Sequence, residues 1–167
     1  MTLLITLEEL AAQLPSRARL LGVDFGAKRI GLALSDVERR IATPLTTIAR
    51  AKFSKDAEAL VAEINRFDVF ALIVGLPLNL DGSQGPRVQA TRAFLRNLAP
   101  ICDRPAVFWD ERLSTAAVTR TLIEQDASRA KRAAVVDRMA AAYILQGALD
   151  RLATLAPSPA PRTDPAA

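Results

Sequence analysis

The chain has 167 residues, half of them hydrophobic and 24% charged, which is one domain's worth of an ordinary globular protein with a buried core. Histidine is absent, so imidazole-based nucleophilic triads are excluded, and any metal site must use oxygen ligands, favouring magnesium or manganese over zinc. A net charge of +4 with a pI near 9.8 is compatible with a polyanionic partner without demanding one.

Residues 1–14 carry Glu8 and Glu9 and lack a basic start, which argues against a signal peptide. No apolar run approaches the ~20 residues a membrane helix needs. The single cysteine, Cys102, excludes an internal disulfide and fits a reducing compartment. Thr6 and Glu9 form a capping-box pair that opens a short helix through Leu14, and Pro15 stops it. Residues 20–25 and 31–36 read as a hairpin around the turn Gly26-Ala27-Lys28-Arg29, and 46–49 as a third strand. Ser54 is expected to cap a helix whose Ala57, Leu60, Val61 and Ile64 keep a 3.6 period. The continuous apolar run 69–74 reads as a strand buried on both faces. Residues 75–86, rich in glycine and proline, read as loop. A helix over 87–98, a strand over 106–110, a helix over 114–125 capped by Ser114 and a last helix over 133–152 follow. The tail from Ala156 holds four prolines and little that can pack, so disorder is expected there.

Three meandering strands joined to alternating helices and strands predict an α/β domain: a mixed five-stranded sheet with helices on both faces, the pattern of a ribonuclease H-like fold. The expected parts are a helical extension over 1–19, this domain over 20–153 and a proline-rich tail over 154–167.

Three carboxylates stand in apolar places. Asp24 lies among Leu20, Leu21, Val23 and Phe25, where a buried charge costs several kcal/mol unless it is neutralised, paired or metal-bound. A strand-end aspartate capping the following turn is the plainer reading. On a helix, Asp137 has Ala133, Ala134, Ala140, Ala141, Ile144 and Leu145 as its same-face neighbours, so it lies on the face that packs against the sheet. A salt bridge to an arginine would also account for it. Glu111 follows the strand "AVFWD", at the carboxyl end of a sheet strand where α/β proteins place their sites, although "DER" also reads as a polar turn. Asp110 competes with it as a ligand, but strand alternation points the two apart. Together the three carboxylates could hold one or two Mg²⁺ or Mn²⁺ ions, which polarise a phosphodiester and activate water.

The stretches "GVDFGAKRIGLALSD", "GLPLNLDGSQGPRVQATRAFL", "DERLST" and "VDRMAAAYILQ" together resemble the YqgF/RuvX family of pre-16S rRNA nucleases, once proposed as Holliday junction resolvases. The likeness runs in the family's order from about Leu20 to Asp150. It implies a ribonuclease H-like fold in the bacterial cytoplasm and a role in maturing the 5′ end of 16S rRNA, with ribosomal particles as partners. Asp24, Glu111 and Asp137 match the family's acidic positions. In the usual strand order Glu111 would stand two strands from Asp24, roughly 10 Å away at ~4.8 Å per strand, which makes it the hardest of the three to place.

Lys28, Arg29 and Arg112 are expected to form a basic rim beside these acids, extended by Arg129, Lys131 and Arg132, and Arg87 to contact phosphate from a mobile loop that clamps the substrate. Two other readings compete with an RNA nuclease: a structure-specific DNA nuclease, and a non-catalytic RNA-binding assembly factor. "DFGAKRIGLAL" also looks like the phosphate hairpin of actin-like ATPases and sugar kinases, but a second domain of that kind does not fit in 167 residues, and no GxxxxGK[ST] is present.

Overall fold

In chain order the elements are α1 (Leu7–Gln13), β1 (Arg19–Phe25), β2 (Arg29–Ser35), β3 (Ala42–Ala49), α2 (Phe53–Arg66), β4 (Val69–Leu76), α3 (Pro86–Leu98), β5 (Ala106–Asp110), a 3₁₀ turn (Glu111–Leu113) and α4 (Arg129–Leu155). The computed structural model describes residues 4–113 and 129–155. The helix expected over 114–125 and the tail from Ala156 lie outside the described residues, as do the side chains of Arg129, Lys131 and Arg132.

The sheet order is β3-β2-β1-β4-β5. β1–β2 and β2–β3 are antiparallel, whereas β1–β4 and β4–β5 are parallel, so the sheet is mixed as the element order requires. Alternation along β1 divides the core. Leu21, Val23 and Phe25 join Leu60 and Ile64 of α2 and Phe94 and Leu98 of α3 on one face. Leu20 joins Ala141, Ile144 and Leu145 of α4 on the other, with Leu7 and Leu10 of α1 in the same cluster. Seven residues cannot hold a helix alone. The capping box on Thr6 and the burial of Leu7 and Leu10, each worth ~1.5–3 kcal/mol, fix α1 to the domain.

Several boundaries differ from expectation for identifiable reasons. β3 begins at Ala42, not Thr46, because pairing with β2 continues past Pro44 on an edge strand, where a missing N–H is tolerated. The N-cap of α2 is Lys52, not Ser54. No side chain caps this helix; Asp56 in the first turn instead fixes the approach to it, its carboxylate accepting from the Ala51 N–H at 2.9 Å and pairing with Arg50 at 3.1 Å. Gly75 and Leu76 belong to β4, held by pairing with Trp109 and Asp110, and Pro86 opens α3. Arg29 is the first residue of β2, not part of the turn. α4 runs 27 residues, starting before Ala133 and ending after Leu152.

Among the described residues four polar side chains are buried: Asp24, Ser35, Asp56 and Thr91. Ser35 receives the Leu20 N–H at 2.9 Å, Asp56 receives the Ala51 N–H at 2.9 Å, and the Thr91 hydroxyl donates to the Arg87 carbonyl at 2.9 Å. These three are structural. Asp24 is the exception, and the site is built around it.

Candidate active site

Asp24 is 2% exposed and points to the α4 face, the same side as Gly22 two residues earlier. Its antiparallel partner on β2 is Gly31. On the other side Val23 pairs with Val74, and one step further along both parallel strands sets Gly75 of β4 beside Asp24. The carboxylate therefore stands in a well whose neighbouring sheet positions, on three sides, carry no side chain.

The space above these glycines is taken by α4 and by the side chain of Glu111. A Cβ on Gly31 would collide with the Asp137 carbonyl, so the backbone of α4 at Asp137 rests directly on β2 next to Asp24. One turn further on, a Cβ on Gly22 would come within 2.6 Å of the Ala141 carbonyl. The close approach of this helix thus requires the glycines of the sheet as well as the small alanines on its own inner face. On the other flank, a Cβ on Gly75 would lie 2.6 Å from Glu111 Oε1. β4 does separate the strands of Asp24 and Glu111, as the strand order predicts. The glutamate folds its side chain back over the glycine of that intervening strand, shortening the two-strand gap.

Half-buried Asp137 has Arg29 Nε 3.8 Å from its Oδ2, so one cation of the expected rim faces an acid of the site directly. Lys28 is exposed at the hairpin tip. That tip is held by a residue the sequence reading passed over, Arg50. Its N–H donates to the Lys28 carbonyl and its guanidinium to the Gly26 carbonyl, both at 2.9 Å, while the same group lies over the Phe25 ring at 4.3 Å. Arg87 is exposed in the first turn of α3 and lines a cavity of about 170 Å³ with Gly26, Ala27 and Arg50.

Arg112 is committed elsewhere. Its guanidinium donates to both oxygens of Asp110, with the shortest contact 2.7 Å, so Asp110 is engaged by its own neighbour. The Asp110 carboxyl is held below its ordinary range chiefly by that hydrogen bond, and the Arg112 pKa is raised by the same partner. Arg112 also reaches the Leu80 carbonyl at 3.5 Å and lies against Gly82. It thereby joins the 3₁₀ turn of Glu111 to the loop after β4. The loop is cross-linked internally: Gly82 N–H donates to the Asn79 carbonyl at 2.8 Å and Ser83 N–H to Asp81 at 2.9 Å. Because folding lowers the Asp110 pKa, the clasp contributes fully above the unfolded value of ~3.9 and is lost as pH falls through the lower folded value. Protection of the Gly82 and Ser83 amides from hydrogen exchange is accordingly expected to persist at pH 5 and to fade below about pH 4. Arg112→Ala should lose it already at neutral pH. Protection unchanged in that variant would show that the loop does not depend on Arg112.

Carboxylate oxygens are hard donors suited to Mg²⁺ or Mn²⁺, and the chemistry of Asp24, Glu111 and Asp137 fits such an ion. Among the described residues, however, no three acidic or cysteine side chains are grouped to hold one ion as they stand. Gathering them requires side-chain rotation, Asp137 away from Arg29 above all. Among the described residues no helix is long and apolar enough to cross a membrane.

The family model described as "RuvX: Holliday junction resolvase" matches residues 18–151. A protein of Beijerinckia indica named "Putative pre-16S rRNA nuclease" is 68% identical over 152 residues, covering 91% of this chain and 92% of its own. One of the same name from Methylocella silvestris is 67% identical over 149 residues, covering 89% and 92%. Among solved structures, Thermus thermophilus RuvC in complex with a Holliday junction substrate superposes with a TM-score of 0.54 at 15% identity, over 82% of this chain and 97% of that one. This last likeness establishes the ribonuclease H-like fold that the strand order already indicates. With a family model spanning β1 to α4 and relatives two-thirds identical over nearly their whole length, this chain belongs to the RuvX family.

Proposed function

We propose that this protein is a divalent-metal-dependent nuclease that processes the 5′ end of pre-16S rRNA, with Asp24, Glu111 and Asp137 as its catalytic and metal-holding residues. The observation that carries the reading is the glycine-walled well around Asp24: the backbone of α4 at Asp137 and the side chain of Glu111 border the sheet positions that carry no side chain, so that rotation of the acids could bring them to one ion. Glycine at 31 and 75 has no packing advantage over alanine in a buried sheet; its use there makes room for a helix backbone and a carboxylate.

A bound Mg²⁺ or Mn²⁺ would polarise the scissile phosphodiester and lower the pKa of the attacking water. The chain's own residues do the rest. Asp24, fixed in the middle of the sheet, is the rigid member, while Glu111 and Asp137 carry the adjustable side chains. Arg29 offsets the negative charge that would otherwise repel a phosphate backbone, and Lys28 and Arg87 add cations at the rim. Arg112 acts through the loop it holds.

Cleavage of a 5′-extended 16S rRNA precursor by the purified chain, dependent on added Mg²⁺ or Mn²⁺, tests the proposal. The family model's own description favours a second reading, a nuclease of branched DNA. A four-way DNA junction in the same assay separates the two. Binding to rRNA without cleavage under any metal would leave only an assembly factor. For the rim, Lys28→Ala and Arg87→Ala are each expected to weaken nucleic-acid binding and to flatten its salt dependence by about one charge. An unchanged salt slope counts against backbone contact at that residue.

A further inference from the structure

On the sheet face opposite Asp24, α3 and β5 enclose a second cavity of about 370 Å³, lined by Arg92, Leu95, Arg96, Ala99, Phe108 and Leu4. Its volume lies in the range of small-ligand sites. Arg92 and Arg96 are four residues apart and project from one face of α3, a helix with no acidic residue. Neither forms an ion pair among the described residues. The Arg92 Cζ lies over the Phe108 ring, 4.9 Å from its centroid, and Arg92 Nε is buried with no hydrogen-bond partner. The guanidinium thus has an aromatic neighbour, and the residue lines an apolar-walled space beside a second, exposed cation.

We infer that this cavity binds an unpaired nucleobase stacked on the Arg92 guanidinium, with the adjoining phosphate held by Arg96. Bases that are not paired stack on arginine planes and aromatic rings, and the phosphates beside them require cations. The charge complementarity fits a polyanion, and the planar guanidinium beside an aromatic ring favours a base over an acidic peptide, which would need donors and no stack. Phe108 stands three residues before Glu111, roughly 10 Å along the strand at ~3.3 Å per residue. A single strand leaving the acidic site over the β5 edge reaches the cavity within a few nucleotides. The inference rests on the proposed nuclease reading and adds to it a preference for a single-stranded extension, in keeping with a precursor end.

The test uses the full chain carrying Asp24→Asn, so that strands stay intact, and two single-stranded RNAs. One spans only the acidic site, and the other is several unpaired nucleotides longer, with 2-aminopurine placed at successive positions. The long strand is expected to bind more tightly and to show 2-aminopurine quenching at one position. Arg92→Met with Arg96→Met should lower affinity for the long strand about tenfold or more, leave the short strand unchanged and reduce the salt slope by about one charge. Arg92→Lys should keep much of the affinity but abolish the position-specific quenching, which a purely electrostatic role would leave intact. Equal affinities of both variants and the parent for the long strand would overturn the inference while leaving the nuclease reading in place. So would preferential occupation of the cavity by an acidic peptide. Failure of the parent chain to bind either strand would remove both.

Discussion

Asp24→Asn is expected to abolish cleavage, by about three orders of magnitude or more, while the domain stays folded with an unchanged or slightly higher melting temperature in the absence of metal. The loss follows from position. Asp24 is the member of the acidic set that cannot move, held in β1 between β2 and β4 and buried beneath α4. An amide of nearly the same shape keeps the packing but removes one full negative charge from the donor set, and ~4 kcal/mol of lost transition-state stabilisation corresponds to about a thousandfold in rate. The stability effect has the opposite sign because an ionised group at 2% exposure carries a desolvation cost that an amide of the same shape largely avoids. Metal supplies the discriminating arm. Added Mn²⁺ should raise the melting temperature of the parent protein, since a ligand of the native state stabilises it, and should raise that of Asp24→Asn much less. Full activity in the pure variant would remove Asp24 from the mechanism. A melting temperature several degrees below the parent would show that the carboxylate serves the fold instead.

Much of this site is legible in the sequence, and the illegible parts share a physical cause. A hairpin with Gly26-Ala27-Lys28-Arg29 at its tip sets Asp24 opposite Gly31, as observed, so the emptied position beside the acid can be read from residue numbers alone. The apolar neighbours of Asp137 place it on the sheet-facing side of its helix, and the Gly31 contact puts it there. The reach of Glu111 could not be read, because it depends on which residue of the intervening strand lies beneath its carboxylate. That is a matter of parallel register between β1, β4 and β5, which no local pattern encodes. Arg112 looked like a free cation because it adjoins Glu111, yet Asp110 claims its guanidinium. Arg50 and Asp56 were missed for a similar reason. An arginine in a polar linker and an aspartate in a first helical turn both read as solvated, and only the folded chain brings them onto the hairpin tip.

The largest effect on stability is expected from Gly31→Ala, which should lower the melting temperature by roughly 6–12 °C and depress cleavage as well. The added methyl has nowhere to go. Its neighbour is the main-chain carbonyl of Asp137, inside a helix of 27 residues whose Ala141, Ile144, Leu145 and Leu149 are buried against the same sheet. A flexible side chain could swing aside, but here the whole helix must retreat, and with it the packing on Gly22 one turn along. Overfilling a core of this kind costs about 3 kcal/mol at the upper end of the usual range, and each kcal/mol is worth ~2–4 °C in a domain of this size. Gly75→Ala provides the contrast. Its Cβ would meet the tip of Ile144 and the carboxylate of Glu111, both side-chain ends able to rotate, so its melting temperature should fall less. Its activity should fall at least as far, because the group displaced is the acid itself. Thermal melts of the two variants beside their cleavage rates therefore separate the two uses of an empty sheet position: seating a helix at Gly31 and admitting a carboxylate at Gly75. A Gly31→Ala protein melting within about 2 °C of the parent, less than 1 kcal/mol of change, would mean that α4 is not seated on β2 at this point.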